Sequence, residues 1–129
     1  MIIAHRGASS IAPPNTIRSF KKAIELNADY IEFDIHKSLD GEIVIIHDAY
    51  VNDFSGHKKF IVDMKLKELK ALDVGEGENI PTLNELIKIA KGKIGLQCEV
   101  KAPGLSKDLV KLLDQENLIE TSIISSFRS

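Results

Sequence analysis

Tyr30-Ile31-Glu32-Phe33-Asp34-Ile35-His36 is the stretch that decides the fold. Ile31, Phe33 and Ile35 fall on one face of an extended segment and Glu32, Asp34 and His36 on the other, the period of two that marks a β-strand. Carboxylates set among apolar strand residues are unusual, because ionised groups are rarely buried unless they are paired or bind a metal. The feature recurs. Ile2 to Ala4 runs into His5 and Arg6, Glu42 to Ile46 runs into His47 and Asp48, and Ile94 to Val100 carries Glu99 and is followed by Lys101. Successive strands of a parallel sheet that carry such groups at their carboxyl ends bring them to one rim, where barrel enzymes keep their chemistry. These four stretches therefore predict a single active site.

Helical segments separate the strands. The first is expected to begin near Asn15 or Thr16, with Asn15 as its cap and Ile17, Phe20, Ile24 and Ala28 along one side. Asp40-Gly41 then turns the chain into Glu42 to Ile46. From His47 to Pro81 the pattern is a polar loop followed by a short helix near Met64 to Leu72, with Leu66, Leu69 and Leu72 on one side and Asp63 as its cap. Thr82-Leu83-Asn84-Glu85 fits a capping box and opens a helix with Leu83, Leu86, Ile87 and Ala90 on one face, stopped by Gly92. In the strand that follows, Ile94, Leu96, Cys98 and Val100 alternate with Gly95, Gln97, Glu99 and Lys101, until Pro103-Gly104 breaks it. Ser106 is placed to cap another helix, striped by Leu109, Val110 and Leu113, and Ser122 to Phe127 reads as a fifth strand. Strands alternating with helices predict a parallel α/β architecture.

The 129 residues carry a formal charge of -2 and are 43% hydrophobic, the balance of a globular chain. No linker, low-complexity tract or repeat divides them, so residues 1–129 read as one unit. A near balance of 17 basic and 19 acidic residues, with 5% aromatic content, argues against nucleic acid as a partner. No apolar run approaches the roughly 20 residues of a membrane span, and Met1 to Ala4 is too short for a signal peptide, so a cytoplasmic location is expected. Cys98, the single cysteine, reads as a small buried hydrophobe. Five strands fall short of an eight-stranded barrel, which takes about 250 residues. The sequence ends on a strand at Ser129, so the expectation is a barrel truncated at its carboxyl end, with sheet edges open to self-association.

His5-Arg6-Gly7, Pro14-Asn15-Thr16, Glu32-x-Asp34, His47-Asp48 and Glu99-x-Lys101 follow one another in an order and spacing that closely resemble the glycerophosphodiester phosphodiesterase family. The connecting phrases Lys21 to Asp29 and Ile80 to Leu83 are similar to family members as well, and the likeness spans nearly the whole chain. It implies a partial TIM-type (β/α) barrel, with about five of eight strands present. It also implies hydrolysis of glycerophosphodiesters to glycerol 3-phosphate and an alcohol, using a divalent metal. The attacking group it implies is the substrate's own glycerol hydroxyl, giving a cyclic phosphate that water opens. The resemblance departs at Pro14, where family members usually carry glutamate.

The residues support the same chemistry on physical grounds. Glu32, Asp34 and Glu99 offer three carboxylates, a hard oxygen set suited to Mg²⁺ or Ca²⁺. Salt bridges to Arg6 or Lys101 are their structural alternative. His5 and His47, from different strand ends, suit proton transfer on opposite sides of a phosphodiester. Arg6 and Lys101 suit phosphate, Arg by its planar fork and Lys as a point charge. Asp48 is read as orienting His47 or fixing the turn rather than binding metal, His36 as a rim residue and His57 as a solvated loop residue. Two other functions share this residue set: a catalytically silent half-barrel that binds phosphate or metal or assembles with another copy, and a phospholipase D-like relative acting on lysophospholipids.

Overall fold

In the computed structural model, which describes residues 1–52, 55–101, 104–118 and 121–126, the elements follow in a β/α order. They are β1 (Ile3–His5), α1 (Ile17–Glu25), β2 (Tyr30–Lys37), β3 (Ile43–Ile45), β4 (Tyr50–Asn52), β5 (Lys58–Phe60), α2 (Leu66–Lys70), α3 (Leu83–Ala90), β6 (Gly95–Val100), α4 (Leu105–Gln115) and β7 (Ser122–Ser126). Strands β1, β2, β6 and β7 lie side by side in that order, all parallel, and β3 joins β2 to complete a five-stranded sheet. Parallel neighbours need long crossovers, and α1, α3 and α4 each lie on one. The partial (β/α) barrel read from the sequence is what forms. Pro103, expected at a strand break, and Phe127, expected at a strand end, lie outside the described residues.

One strand runs against expectation. β3 pairs antiparallel with β2, with Ile35 opposite Ile45 and Lys37 opposite Ile43. The reason is the connection: Ser38 to Glu42 is too short to cross over the sheet and can only turn the chain back. Ser38 N–H donates to the Glu42 carbonyl at 2.9 Å, Glu42 N–H donates to Ser38 Oγ at 2.9 Å, and Gly41 takes the turn's left-handed position at φ 85°.

Helix starts divide into those the sequence shows and those it does not. Thr82 and Glu85 form the expected capping box on α3, with Thr82 Oγ1 accepting from Glu85 N–H and Glu85 Oε1 accepting from Thr82 N–H. Leu83, Leu86, Ile87 and Ala90 are all buried, as their spacing predicts. On α1 the cap is Thr16, whose Oγ1 accepts from Ser19 N–H, rather than Asn15, which stands outside the helix at φ 57°. On α4 the cap position is Gly104, so Ser106 lies inside the first turn. Its buried stripe is Leu105, Leu109 and Leu113, while Val110 is exposed. Asp63 does not cap α2; it ends a short 3-10 turn, and Glu68 Oε1 accepts from Lys65 N–H instead. The β4–β5 hairpin leaves no mark in the sequence pattern, because each strand has three residues and too little alternation to register.

Apolar side chains from the sheet and from the buried stripes of these helices build the core. Ile31, Phe33 and Ile35 are fully buried against α1, α3 and α4, and the Phe20 ring meets Phe33 edge-on at 6.3 Å between centroids. Burying each such side chain is worth roughly 1.5–3 kcal/mol. Cys98 lies in this cluster, and burial pushes its thiol above the ordinary range, which leaves it inert. A second cluster of Val44, Ile61, Met64, Leu69, Leu72 and Ile80 seats the hairpin and α2, with Val51 packed against it.

The loop after β1 doubles back onto α1. Ala8 N–H donates to the Ser19 carbonyl at 2.9 Å, and Gly7 stands at φ 81° with its α-carbon facing Ser19. A Cβ there would lie 2.9 Å from the Ser19 backbone carbon. Gly7→Ala is expected to destabilise the fold by about 1–3 kcal/mol, read from urea denaturation; an unchanged midpoint would refute the close approach.

Candidate active site

The second face of β2 is buried nearly as completely as the first. Glu32, Asp34 and His36 are 6%, 1% and 7% exposed. The parallel register sets Asp34 opposite Glu99 of β6, and ligand oxygens of Glu32, Asp34 and Glu99 all lie within 4.8 Å of one another.

Two chain segments reach this cluster along one edge of β2. β1 pairs with that edge only as far as His5 opposite Glu32, and β3 takes it up again at Ile35, whose other side is held by Val100. Ile46 N–H then donates to the Asp34 carbonyl at 3.0 Å. The chain leaving β1 at His5 and Arg6 and the chain leaving β3 at His47 therefore converge beside Asp34. His47 arrives from an antiparallel strand, not from the carboxyl end of a parallel one as the sequence suggested.

Each expected residue has a defined partner. His5 Nδ1 lies against Glu32 Oε2. Arg6 Nε stands 3.5 Å from Asp34 Oδ2, and Lys101 Nζ lies 3.8 Å from Asp34 and 3.7 Å from Glu99. The salt-bridge alternative and the shared cluster are thus one arrangement. His47 Nδ1 lies 2.9 Å from Asp48 Oδ1, the orienting contact expected of Asp48. His57 is exposed beside the hairpin.

Two residues stand elsewhere than the sequence pattern predicts. Asn15, a helix cap by its sequence position, is buried and its Nδ2 donates to Asp34 Oδ2 at 3.0 Å. The signal that points to it is the Pro14-Asn15-Thr16 phrase rather than any periodicity. His36, a rim residue by its sequence position, is buried with Nε2 at 3.2 Å from the His47 carbonyl.

The electrostatics are those of an incompletely neutralised acidic site. Burial raises the Glu32 pKa, Asp34 raises it further, and His5 opposes both. Burial lowers the His36 pKa, keeping that ring neutral. Arg6 and Lys101 face three carboxylates, which leaves negative charge in excess. Among the described residues, the buried side-chain nitrogens and oxygens without a hydrogen-bond partner are Arg6 Nε, Asn15 Oδ1 and both Glu32 oxygens, all at this cluster. Buried polar groups are almost always satisfied, so their concentration here fits a polar ligand. Three carboxylates with excess negative charge fit a hard divalent cation. A cleft of about 460 Å³ opens beside the cluster, lined by Arg6, Asn15, His47 and Tyr50 among others.

A sequence profile described as the glycerophosphoryl diester phosphodiesterase family matches residues 5–127. A glycerophosphodiester phosphodiesterase from Caldanaerobacter subterraneus is 41% identical over 140 residues, covering 98% of this chain and 58% of that protein. An Agrobacterium tumefaciens glycerophosphodiester phosphodiesterase structure superposes with a TM-score of 0.88 at 28% identity, covering 98% of this chain and 57% of that one. An Oleispira antarctica phosphodiesterase, solved in complex with the product sn-glycerol-3-phosphate, gives 0.85 at 35% identity, with 98% and 57% covered. The chain thus spans little more than half the length of the relatives it matches. Among the described residues no helix is long and apolar enough to cross a membrane.

A carboxyl whose folded pKa lies above its unfolded value takes up a proton on folding. Glu32 therefore costs stability as pH rises above 4.5, the ordinary glutamate value, through its raised pKa. Without divalent ions, Glu32→Gln is expected to raise the urea midpoint at neutral pH and to change little below the ordinary glutamate range. Excess Mg²⁺ should reverse the order of the two proteins at neutral pH. A neutral-pH midpoint lowered by the substitution in chelator would contradict the charge reading.

Proposed function

The chain belongs to the glycerophosphoryl diester phosphodiesterase family, and from that premise we propose that the protein hydrolyses glycerophosphodiesters to glycerol 3-phosphate and an alcohol. The observation that carries the reading is the meeting of Glu32, Asp34 and Glu99 from two strands, with buried polar atoms that make no hydrogen bond gathered around them. In this reading the three carboxylates hold one divalent cation, Mg²⁺ or Ca²⁺. Bound there, it supplies Lewis-acid polarisation of a phosphoryl oxygen and neutralises charge in the transition state.

The chain's own side chains do the remainder. Arg6, which lines the cleft, and Lys101, beside Glu99, bring fixed positive charge to the bound phosphodiester. Arg offers a planar donor fork and Lys a point charge. His5 and His47 divide the proton transfers, one taking a proton from the attacking hydroxyl and the other giving one to the leaving alcohol. Their neighbours prepare both for this work. A carboxylate can only accept, so Asp48 beside His47 Nδ1 keeps the ring proton there and leaves Nε2 to face the chemistry. Glu32 Oε2 lies against His5 Nδ1 as the acidic neighbour of that ring. The product held by the Oleispira relative is the one this reaction would release.

The test is release of glycerol 3-phosphate from glycerophosphocholine in the presence of Mg²⁺ or Ca²⁺. His5→Ala and His47→Ala are each expected to lower kcat by about 100- to 10,000-fold, and a chelator to abolish turnover. Turnover unaffected by His47→Ala would overturn the assignment of roles. Cation binding by calorimetry with no turnover under either ion would favour the silent half-barrel.

A further inference from the structure

His36 is the buried ionisable side chain on β2 that the proposed chemistry leaves unused. Its Nε2 lies 3.2 Å from the backbone carbonyl oxygen of His47. A carbonyl has no proton to give, so Nε2–H is the donor and the ring's tautomer is fixed by the contact. The regular ladder places His36 opposite Val44, and the last bond of that junction runs from Ile46 N–H to the Asp34 carbonyl. The His36 ring reaches past both and holds the next residue by its own backbone. Two consecutive residues of the returning chain are thus fastened to β2, the strand that carries Glu32 and Asp34.

We propose that His36 is a positioning residue: by holding the His47 carbonyl, its Nε2–H fixes where the His47 imidazole stands relative to the Glu32, Asp34 and Glu99 carboxylates. Among the described residues the His47 ring has a hydrogen-bond partner in Asp48, its chain neighbour, which moves with it and sets the orientation of the ring but not its place. The Ile46 bond sets the height of the backbone along β2, and the His36 bond sets its direction as it leaves the sheet. Proton transfer falls off steeply with misplacement of the donor or acceptor, so a backbone tether of this kind acts on rate more than on binding. The expected effect on turnover rests on the reading of His47 as a proton carrier; the effect on the position of His47 does not.

The test uses isotope-labelled full chain in three forms: wild type, His36→Met, which keeps bulk but has no donor, and His36→Gln, whose amide nitrogen can donate from nearly the same place. Ring nitrogen signals of wild-type His36 should show the proton on Nε2. His36→Met should move the His47 ring signals and lower kcat on glycerophosphocholine by about 10- to 100-fold, the usual consequence of losing an orienting partner. KM should stay within a factor of about two, since ground-state binding is not what the tether serves. His36→Gln should restore the His47 signals and most of kcat. Mg²⁺ affinity by calorimetry should be alike in all three. A proton on Nδ1 of His36 in the wild type, or His47 signals unmoved by His36→Met, would overturn the proposal. His47 signals that move in Met and return in Gln, in a protein that turns over no glycerophosphodiester, would uphold the positioning role and refute the phosphodiesterase reading instead.

Discussion

Three carboxylates held within 4.8 Å of one another on two neighbouring strands is the constraint that the rest of the site answers to. Like charges at that distance, two of them buried, repel strongly and lose most of their hydration. The chain around the site brings polar groups that offset this. Arg6, Asn15 and Lys101 all converge on Asp34, and His5 on Glu32. Arg6 and Asn15 reach it from left-handed backbone, at φ 56° and 57°, a conformation that costs non-glycine residues of order 1–3 kcal/mol. The Asn15 N–H to Arg6 carbonyl bond of 2.9 Å clasps the two strained residues together. Strain of that size is tolerated where the surrounding structure over-determines it, and here both strained residues touch the same carboxylate.

That same constraint explains the topology around β2. Its apolar face needs α1, α3 and α4, so the helices occupy one side, while its acidic face must be reached by polar groups from loops. β1 is only three residues long and ends opposite Glu32, which frees the edge beside Asp34. β3 fills it from the opposite direction, and its antiparallel course delivers His47 to a place where a parallel strand would have led the chain away. The second apolar cluster then serves the site indirectly, because it seats the β4–β5 hairpin that walls the cleft.

What was legible in the sequence follows from how many residues vote for each feature. β2 and β6 alternate over six residues or more, and α3 carries a capping box and a complete stripe, so their faces and ends could be read directly. The carboxylates followed from strand position alone, since Glu32, Asp34 and Glu99 fall on the polar phase of their strands. β4 and β5 could not be read, because three residues hold one inward side chain each. The direction of β3 lay in the length of its turn, not in its own residues. Asn15 and His36 were misplaced for a related reason: a capping residue and a site residue are chemically alike, as are a rim histidine and a buried one. Their roles depend on partners 19 and 11 residues away along the chain.

All the proposed ligands and proton carriers come from β1, β2, β6 and the segments that leave β1, β3 and β6, within a chain that spans 58% of a relative 41% identical to it. The claim on which the account turns is that Glu32, Asp34 and Glu99 act together on one cation. Crystals of the full chain grown with Mn²⁺, as a stand-in for Mg²⁺ with an anomalous signal, test it most directly. The account predicts one strong anomalous peak with an oxygen of each of the three carboxylates within about 2–2.6 Å. A map with no peak there, and with the three side chains still engaged by His5, Arg6 and Lys101, would contradict it.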